Sequence, residues 1–477
     1  MSRNTVILEP NQEWTFEVLN QDKLSVYLVE GKAEIFGTEL AIGREYEFET
    51  IKSSVFTYFG CKLQWEGECV EKTLDCPGML KVANIHFALE SMRKKAEENN
   101  GNGPVLLVLG AENTGKTSLC KTLVSYATRM SRFPCLVNLD VQSPIYSPPG
   151  ALTATPISHI LDVEEFFGLP PINGPSLTRN KQSLVYTYAL LNPNTSTDYF
   201  QNQMRLLAEG IQERQNKDSS IRTSGVIIDA PSSLLFSKQQ LDYVLSSFKC
   251  TAIIVINKNK DNEILKTEDN SVSGIDEKVV ISTEESNPQS DDNNSVKKDD
   301  EIVNESKIQE SLDKHAESKM ISEPLDLNFD NVETVYIDEL PGVKRNDDVF
   351  LRQIQRRVIQ EYFFGSNRRN LSPFTITTNL ANLVVYRPLE QQEIAKNEDK
   401  SILLVKVIPS AVLQNCLLAV VDAEPTDDVK KIQNAETLGY IHVVEANEER
   451  SLIKILLPVP GKLPKNALIM GDVRYHE

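Results

Sequence analysis

The octapeptide Gly110-Ala111-Glu112-Asn113-Thr114-Gly115-Lys116-Thr117 constrains this chain more than any other feature. It has the spacing GxxxxGK[ST] and follows an unbroken apolar run from Val105 to Leu109. It precedes a stretch, Ser118 to Met130, that places Leu119, Leu123, Tyr126, Ala127 and Met130 on one helical face. Strand, glycine loop and helix in that order make a cradle for phosphates. Backbone N–H groups wrap the oxygens, glycines let the chain approach them, and the helix start adds partial positive charge. Lys116 then reaches the outer phosphates and the Thr117 hydroxyl ligates Mg²⁺. A nucleotide is the expected ligand.

The residues around this loop extend the argument. Cys135 to Leu139, Gly225 to Ile228 and Thr251 to Ile256 are short continuous apolar runs, while Tyr199 to Gln212 reads as helix. Strands without alternation, separated by helices, indicate an α/β domain with a parallel sheet covered on both faces. Asp140 and Asp229 each close one of these strands, which puts both at the carboxyl edge of the sheet beside the loop. Asp229 is the candidate Mg²⁺ ligand, and Asp140 the candidate group to orient or deprotonate an attacking hydroxyl; each is equally compatible with a helix cap. Arg352, Arg356 and Arg357, with Arg345 upstream, sit on a predicted helix from Leu351 to Phe363. They are either a lid over a triphosphate or an exposed basic face.

Different patterns flank this core. From Val6 to about Cys76 apolar residues alternate with period two, as in Trp14, Phe16, Val18 and Leu24, Val26, Leu28, with glycines between the runs. That predicts a small β-sandwich or barrel over 1–82. Ala83 to Asn99 reads as a helix, making 83–103 a connecting helix and loop ahead of a core over 104–370. Beyond Phe374 β-type runs return, with a hairpin turn at Asn447 to Arg450, giving a third, β-rich (α+β) domain over 371–477.

Charge and cysteine usage narrow the classes of function. The net charge is −18, and Asn257 to Asp330 carries −11 of it (20 Asp and Glu against 9 Lys), with no aromatic residue before Phe329. Such a segment offers too little apolar surface to offset the entropy of ordering it, so it reads as a disordered acidic insertion. A chain this acidic does not grip nucleic acid through a general positive field. Seven dispersed cysteines without a CxxC pair read as free thiols rather than disulfides or a zinc site. No apolar run approaches the roughly 18 to 20 residues of a membrane span, and Met1 to Leu8 has no signal-peptide character. No membrane role and a cytosolic or nuclear location are expected.

Five separated segments then carry a resemblance: VEGKAEIFGTEL (Val29 to Leu40), the phosphate loop, LDVQSPIYSPPG (Leu139 to Gly150), EYFFG (Glu361 to Gly365) and LLPVPGKLP (Leu456 to Pro464). In this order they resemble the polyribonucleotide 5′-hydroxyl kinase family, and within it the fungal ATP-binding subunits of pre-mRNA cleavage and polyadenylation factor IA. The resemblance implies an N-terminal β-sandwich, a central P-loop kinase-like domain and a C-terminal domain. It implies that ATP with Mg²⁺ is the ligand, with Glu13 and Lys52 closing over the adenine and Asn113 to Ser118 holding the phosphates. On the residues alone, Glu13 and Lys52 read as solvent-exposed charges. The resemblance further matches Asp140 to the aspartate that activates an RNA 5′-hydroxyl, and Arg352 and Arg356 to the lid. The partners it implies are the factor IA scaffold subunit that contacts the RNA polymerase II tail and other 3′-end processing subunits, with RNA met mainly indirectly, in the nucleus.

Departures from the family pattern bear on catalysis. Catalytic members continue past the Asp140 position with Gly-Gln, where this chain has Gln142, Ser143 and Pro144. They also carry a TxGW clasp after the second strand, where this chain reads Asp229, Ala230, Pro231, Ser232, Ser233, and its two tryptophans are Trp14 and Trp65. Phosphoryl transfer depends on positioning, so losing the clasp costs catalysis far more than ATP affinity. The expectation is a non-catalytic ATP-loaded subunit. Two alternatives stay open: an active RNA 5′-hydroxyl kinase, and a GTP-driven switch or maturation factor, for which Asn257-Lys258-Asn259-Lys260-Asp261 approaches NKxD with the aspartate one place late.

Overall fold

A strand of alternating residues buries one face, and the 20-residue strand Gln12–Gly31 does so twice. Its first half, Gln12 to Glu17, pairs with Val70–Asp75, and its second half, Leu24 to Gly31, pairs with Cys61–Gly67. A shift of register between Val18 and Lys23 marks the bend between them. One strand thus serves both layers of a seven-stranded antiparallel sandwich. Trp14, Phe16, Val18, Leu24, Val26 and Leu28 all point inward and are buried, as the alternation predicts. Trp14 lies 5.0 Å from Phe16 and 6.0 Å from Trp65 by ring centroids, so both tryptophans belong to this core.

The computed structural model describes residues 3–164, 182–257, 332–366 and 369–476. The expected disordered insertion lies outside these residues apart from Asn257, as does most of the near-NKxD stretch.

The central sheet runs in the order Leu184–Thr187, Ala151–Pro156, Cys135–Asn138, Val226–Asp229, Val105–Gly110, Ala252–Asn257, Glu333–Asp338. The last five are mutually parallel. Ala151–Pro156 alone is reversed: it is antiparallel to both neighbours, so Leu184–Thr187 beyond it runs with the five, the sheet is mixed, and the expectation of a parallel sheet is corrected. Ala151–Pro156 escapes the apolar-run criterion because Thr153 and Thr155 lie in its interior. Their hydroxyls are satisfied there by the Ile145 carbonyl at 2.9 Å and Ser183 Oγ at 2.7 Å.

The connecting helix begins earlier than its sequence suggests, spanning Gly78–Glu98 after Pro77. Met79, Val82 and Leu89 join the same core as Leu119, Leu123 and Val124 of the phosphate-loop helix Lys116–Arg129. Arg93, fully buried, donates from Nε to the Ser224 carbonyl at 2.9 Å. The helix is therefore part of the core rather than a free linker.

The C-terminal sheet has seven strands, with the expected hairpin turn between Thr437–Asn447 and Leu452–Leu457 held by Arg450 N donating to Asn447 Oδ1 at 3.0 Å. It docks on the core through a Ser147 to Tyr440 hydroxyl pair at 3.0 Å and through Thr187 N donating to Thr437 Oγ1 at 3.0 Å. All seven cysteines are free, six of them buried.

Candidate functional site

The phosphate loop leaves the middle of the sheet at Gly110. A Cβ there would lie 2.6 Å from Thr114 Oγ1, and Gly115 has φ +84, so the turn requires glycine at both positions. Thr114 Oγ1 and Lys116 Nζ both donate to the Ala111 carbonyl, at 2.9 and 2.8 Å, which folds the lysine back over the loop. The helix that follows has Gly115 as its N-cap and so no capping side chain competes for its first N–H groups. Gly115, Lys116, Thr117 and Ser118 line a cavity of about 590 Å³.

Beneath the loop, Thr117 Oγ1 donates to Asp229 Oδ2 at 2.5 Å. Asp229 is 1% exposed and its Oδ1 has no hydrogen-bond partner. Burial pushes its pKa up to about 6, against the Thr117 bond and the Lys116 charge. A carboxylate oxygen orphaned in the interior beside a threonine hydroxyl has the chemistry of a Mg²⁺ site, so the donors fit that ion. Asp140 lines the same cavity in a turn built by Asn138, whose Nδ2 donates to the Asp140 and Ser143 carbonyls at 3.2 and 2.8 Å. Asn138 was not singled out by sequence; a buried polar residue closing an apolar strand was the available signal.

The opposite wall comes from the sandwich. Glu13, Lys52, Ser53 and Ser54 line the cavity. The reading of Glu13 as a solvent-exposed charge is corrected: it is 8% exposed, its Oε2 lacks a partner, and burial raises its pKa against hydrogen bonds to Ser54 and Cys76. Lys52 is half-buried rather than exposed. Its Nζ donates to the Arg345 carbonyl at 2.7 Å and lies 3.7 Å from Glu17.

Residues 339–347 close the third side, a segment of which sequence reasoning marked Arg345 alone, and Arg345 is not among the residues that line the cavity. The Pro341-Gly342 pair between a strand and a helix was its one signal. Leu340, Gly342, Val343, Lys344 and Asn346 line the cavity. The helix after them, Asp348–Phe364, starts on Asp347, whose Oδ1 accepts from Phe350 N at 2.7 Å. Gln355 of that helix donates to the Gln142 carbonyl at 2.9 Å, and Arg357 Nη1 to the Glu49 carbonyl at 2.5 Å. Arg352 and Arg356 are exposed and neither lines the cavity; Arg352 Nε donates to the Asp348 carbonyl of its own helix at 3.1 Å. The structure thus brings together Glu13, Lys52, Asn113 to Ser118 and Asp140 around one cavity, with Asp229 directly below, and leaves the two arginines outside. Lys121, one turn beyond Thr117, also lines the cavity, with its ammonium 5.4 Å from the Phe36 ring centroid.

A glycine loop fed by a central parallel strand, a buried aspartate under its threonine, and a β-sandwich closing over both define a P-loop protein of three parts. Three family models match it in sequence order. They are the N-terminal beta-sandwich domain of polyadenylation factor over residues 7–96, the mRNA cleavage and polyadenylation factor CLP1 P-loop over 110–299, and pre-mRNA cleavage complex II protein Clp1 over 371–477. The mRNA cleavage and polyadenylation factor clp1 of Botryotinia fuckeliana is 31% identical over 476 residues, covering 98% of this chain and 92% of the relative. CLP1 of Vanderwaltozyma polyspora is 32% identical over 482 residues, covering 98% and 94%. The chain belongs to the Clp1 family of mRNA cleavage and polyadenylation factors. A solved complex of wild-type Clp1p with a Pcf11p segment has a TM-score of 0.77 at 28% identity, over 100% of this chain and 99% of that one. A second, describing an extended Pcf11p–Clp1p interface and ATP loss in a glycine-to-arginine point mutant, has a TM-score of 0.77 at 27% identity, with the same coverage.

Proposed function

We propose that this chain is an ATP-binding, non-catalytic structural subunit of the nuclear machinery that cleaves and polyadenylates pre-mRNA 3′ ends, as a component of cleavage factor IA. The observation that carries the reading is the single cavity in which the phosphate loop, Asp140 and the buried face of the sandwich at Glu13 and Lys52 meet. A nucleotide filling it touches two modules at once. By mass action it favours the closed arrangement, by about 4 kcal/mol at a thousandfold excess over its dissociation constant.

In this reading Lys116 and the loop N–H groups neutralise the phosphates, and Thr117 with Asp229 holds Mg²⁺, which when bound offsets further phosphate charge. Glu13 and Lys52 face the base. In this reading the site holds its guest without using it, which is supported by a core sequence without a tryptophan clasp and by Arg352 and Arg356 not lining the cavity, since phosphoryl transfer depends on groups that align the acceptor hydroxyl. The scaffold partner is of the Pcf11 kind, a reading supported by the two solved structures of Clp1p with Pcf11p, and in this reading it supplies the contact with the RNA polymerase II tail. Other 3′-end processing subunits assemble on the same platform, and RNA is met through them.

The test is incubation of the purified chain with 5′-hydroxyl RNA and γ-labelled ATP. The expected result is unlabelled RNA. Label on the RNA that disappears in Lys116→Ala makes the protein a 5′-hydroxyl kinase instead.

A further inference from the structure

The segment 339–347 is tied at both ends of the cavity it covers. On the sandwich side, Lys52 Nζ donates to the Arg345 carbonyl at 2.7 Å, and Lys344 Nζ lies 3.2 Å from the Glu17 carboxylate. Gly342 runs so close to Glu13 that a Cβ would collide with its carboxylate. On the phosphate-loop side, a Cβ on Gly115 would come within 3.0 Å of Val343 Cγ2. The segment is a strap between the two walls that a nucleotide in this site touches.

One side chain of the phosphate loop joins the strap directly. Asn346 N donates to Asn113 Oδ1 at 3.0 Å, and Asn113 Nδ2 donates to the Asn346 carbonyl at 3.3 Å. The primary amide of Asn113 therefore pairs with one backbone N–H and one backbone C=O, as a neighbouring strand would. Asn113 holds φ at 58, a left-handed conformation that asparagine tolerates better than most residues. The side chain presented by this turn goes to the strap, leaving the backbone of the loop for phosphates.

We infer that Asn113 is a latch. It positions the strap over the bound nucleotide and sets how slowly ATP leaves, without itself being a phosphate ligand. This rests on the ATP-binding reading above and adds a kinetic role to it. A nucleotide spanning from the phosphate loop to the sandwich departs when the strap lifts, and lifting it breaks the Asn113 pair, a polar tie between strap and loop.

Asn113→Gly is the decisive variant, because glycine keeps the left-handed backbone and removes only the amide. The full chain is loaded with a fluorescent ATP analogue and chased with excess unlabelled ATP. Loss of two exposed hydrogen bonds is expected to speed dissociation up to about tenfold, with Asn113→Asp, which keeps the acceptor for Asn346 N, intermediate between Gly and wild type. The melting temperature of the nucleotide-free protein is expected to stay within a degree or so of wild type, so that faster release reports the lost tie and not a loss of fold. Wild-type release rates in both variants overturn the latch while leaving ATP binding intact. A wild-type chain that takes up no analogue overturns the ATP-binding reading itself, and the latch with it.

Discussion

Thr117 Oγ1 and Asp229 Oδ2, 112 residues apart in sequence, lie 2.5 Å apart in the fold. The register of the parallel sheet makes this so, since Asp229 pairs with Val108, two residues before the loop begins. The bond satisfies one carboxylate oxygen and leaves the other buried and unpartnered. Burial raises the Asp229 pKa from 3.8 to about 6, so between those values the folded chain holds a proton that the unfolded chain has released. Stability without ligand therefore falls as pH rises from about 4 to 6 and stays lower above it, by up to roughly 3 kcal/mol. Asp229→Asn should remove that fall, making the metal-free, nucleotide-free protein more stable than wild type at pH 7 and close to it at pH 4 in urea unfolding. It should also abolish any gain in ATP retention from added Mg²⁺. Parallel pH profiles would show that Asp229 does not carry the cost.

The sandwich is fastened to the phosphate-loop helix by a buried polar chain. The Tyr126 hydroxyl donates to the Glu34 carboxylate, Tyr58 and Tyr126 hydroxyls pair at 2.9 Å, and Arg129 lies 3.5 Å from Glu34. Tyr126→Phe deprives a carboxylate that is 6% exposed of its donor. The expected loss is about 1 to 3 kcal/mol, read from the urea midpoint at constant m. A change under about 0.5 kcal/mol, the scatter of ordinary surface substitutions, would mean the chain is dispensable.

Gly115 and Gly43 separate backbone strain from close approach. Both have positive φ, +84 and +76, but a Cβ on Gly115 meets Val343 whereas one on Gly43 meets nothing within 4 Å. Each alanine variant bears a left-handed penalty of about 1 kcal/mol. Gly115→Ala should in addition push the strap off the loop and weaken ATP binding at least tenfold by equilibrium titration, while Gly43→Ala leaves it unchanged. Equal affinities in the two variants would contradict the packing of strap on loop.

Physical reasons divide what the sequence revealed from what it hid. Trp14, Phe16 and Val18 were legible because strict alternation has one meaning in a half-buried strand, and Val105 to Leu109 because an apolar run before a glycine loop has few others. Ala151–Pro156 was hidden by its threonines, which look like turn residues until their hydroxyls find Ile145 and Ser183. Leu468–Arg474 was hidden by Gly471 and Asp472 in its middle. That glycine is there because a Cβ would run into the Ala189 carbonyl of the core. Of the site, the loop and Asp229 follow from local pattern. Glu13 does not: it alternates outward from Trp14, and Cys76 together with the strap at Gly342, 329 residues later, turns that outward face into an interior.

The central claim is that a triphosphate stays in the cavity, intact, as part of the folded protein. The most direct measurement is the nucleotide content of the chain purified without added nucleotide, released by denaturation and resolved by ion-exchange chromatography. The account predicts stoichiometric ATP with its γ-phosphate present, and none in Lys116→Ala. An empty wild-type protein, or one holding ADP, would contradict it.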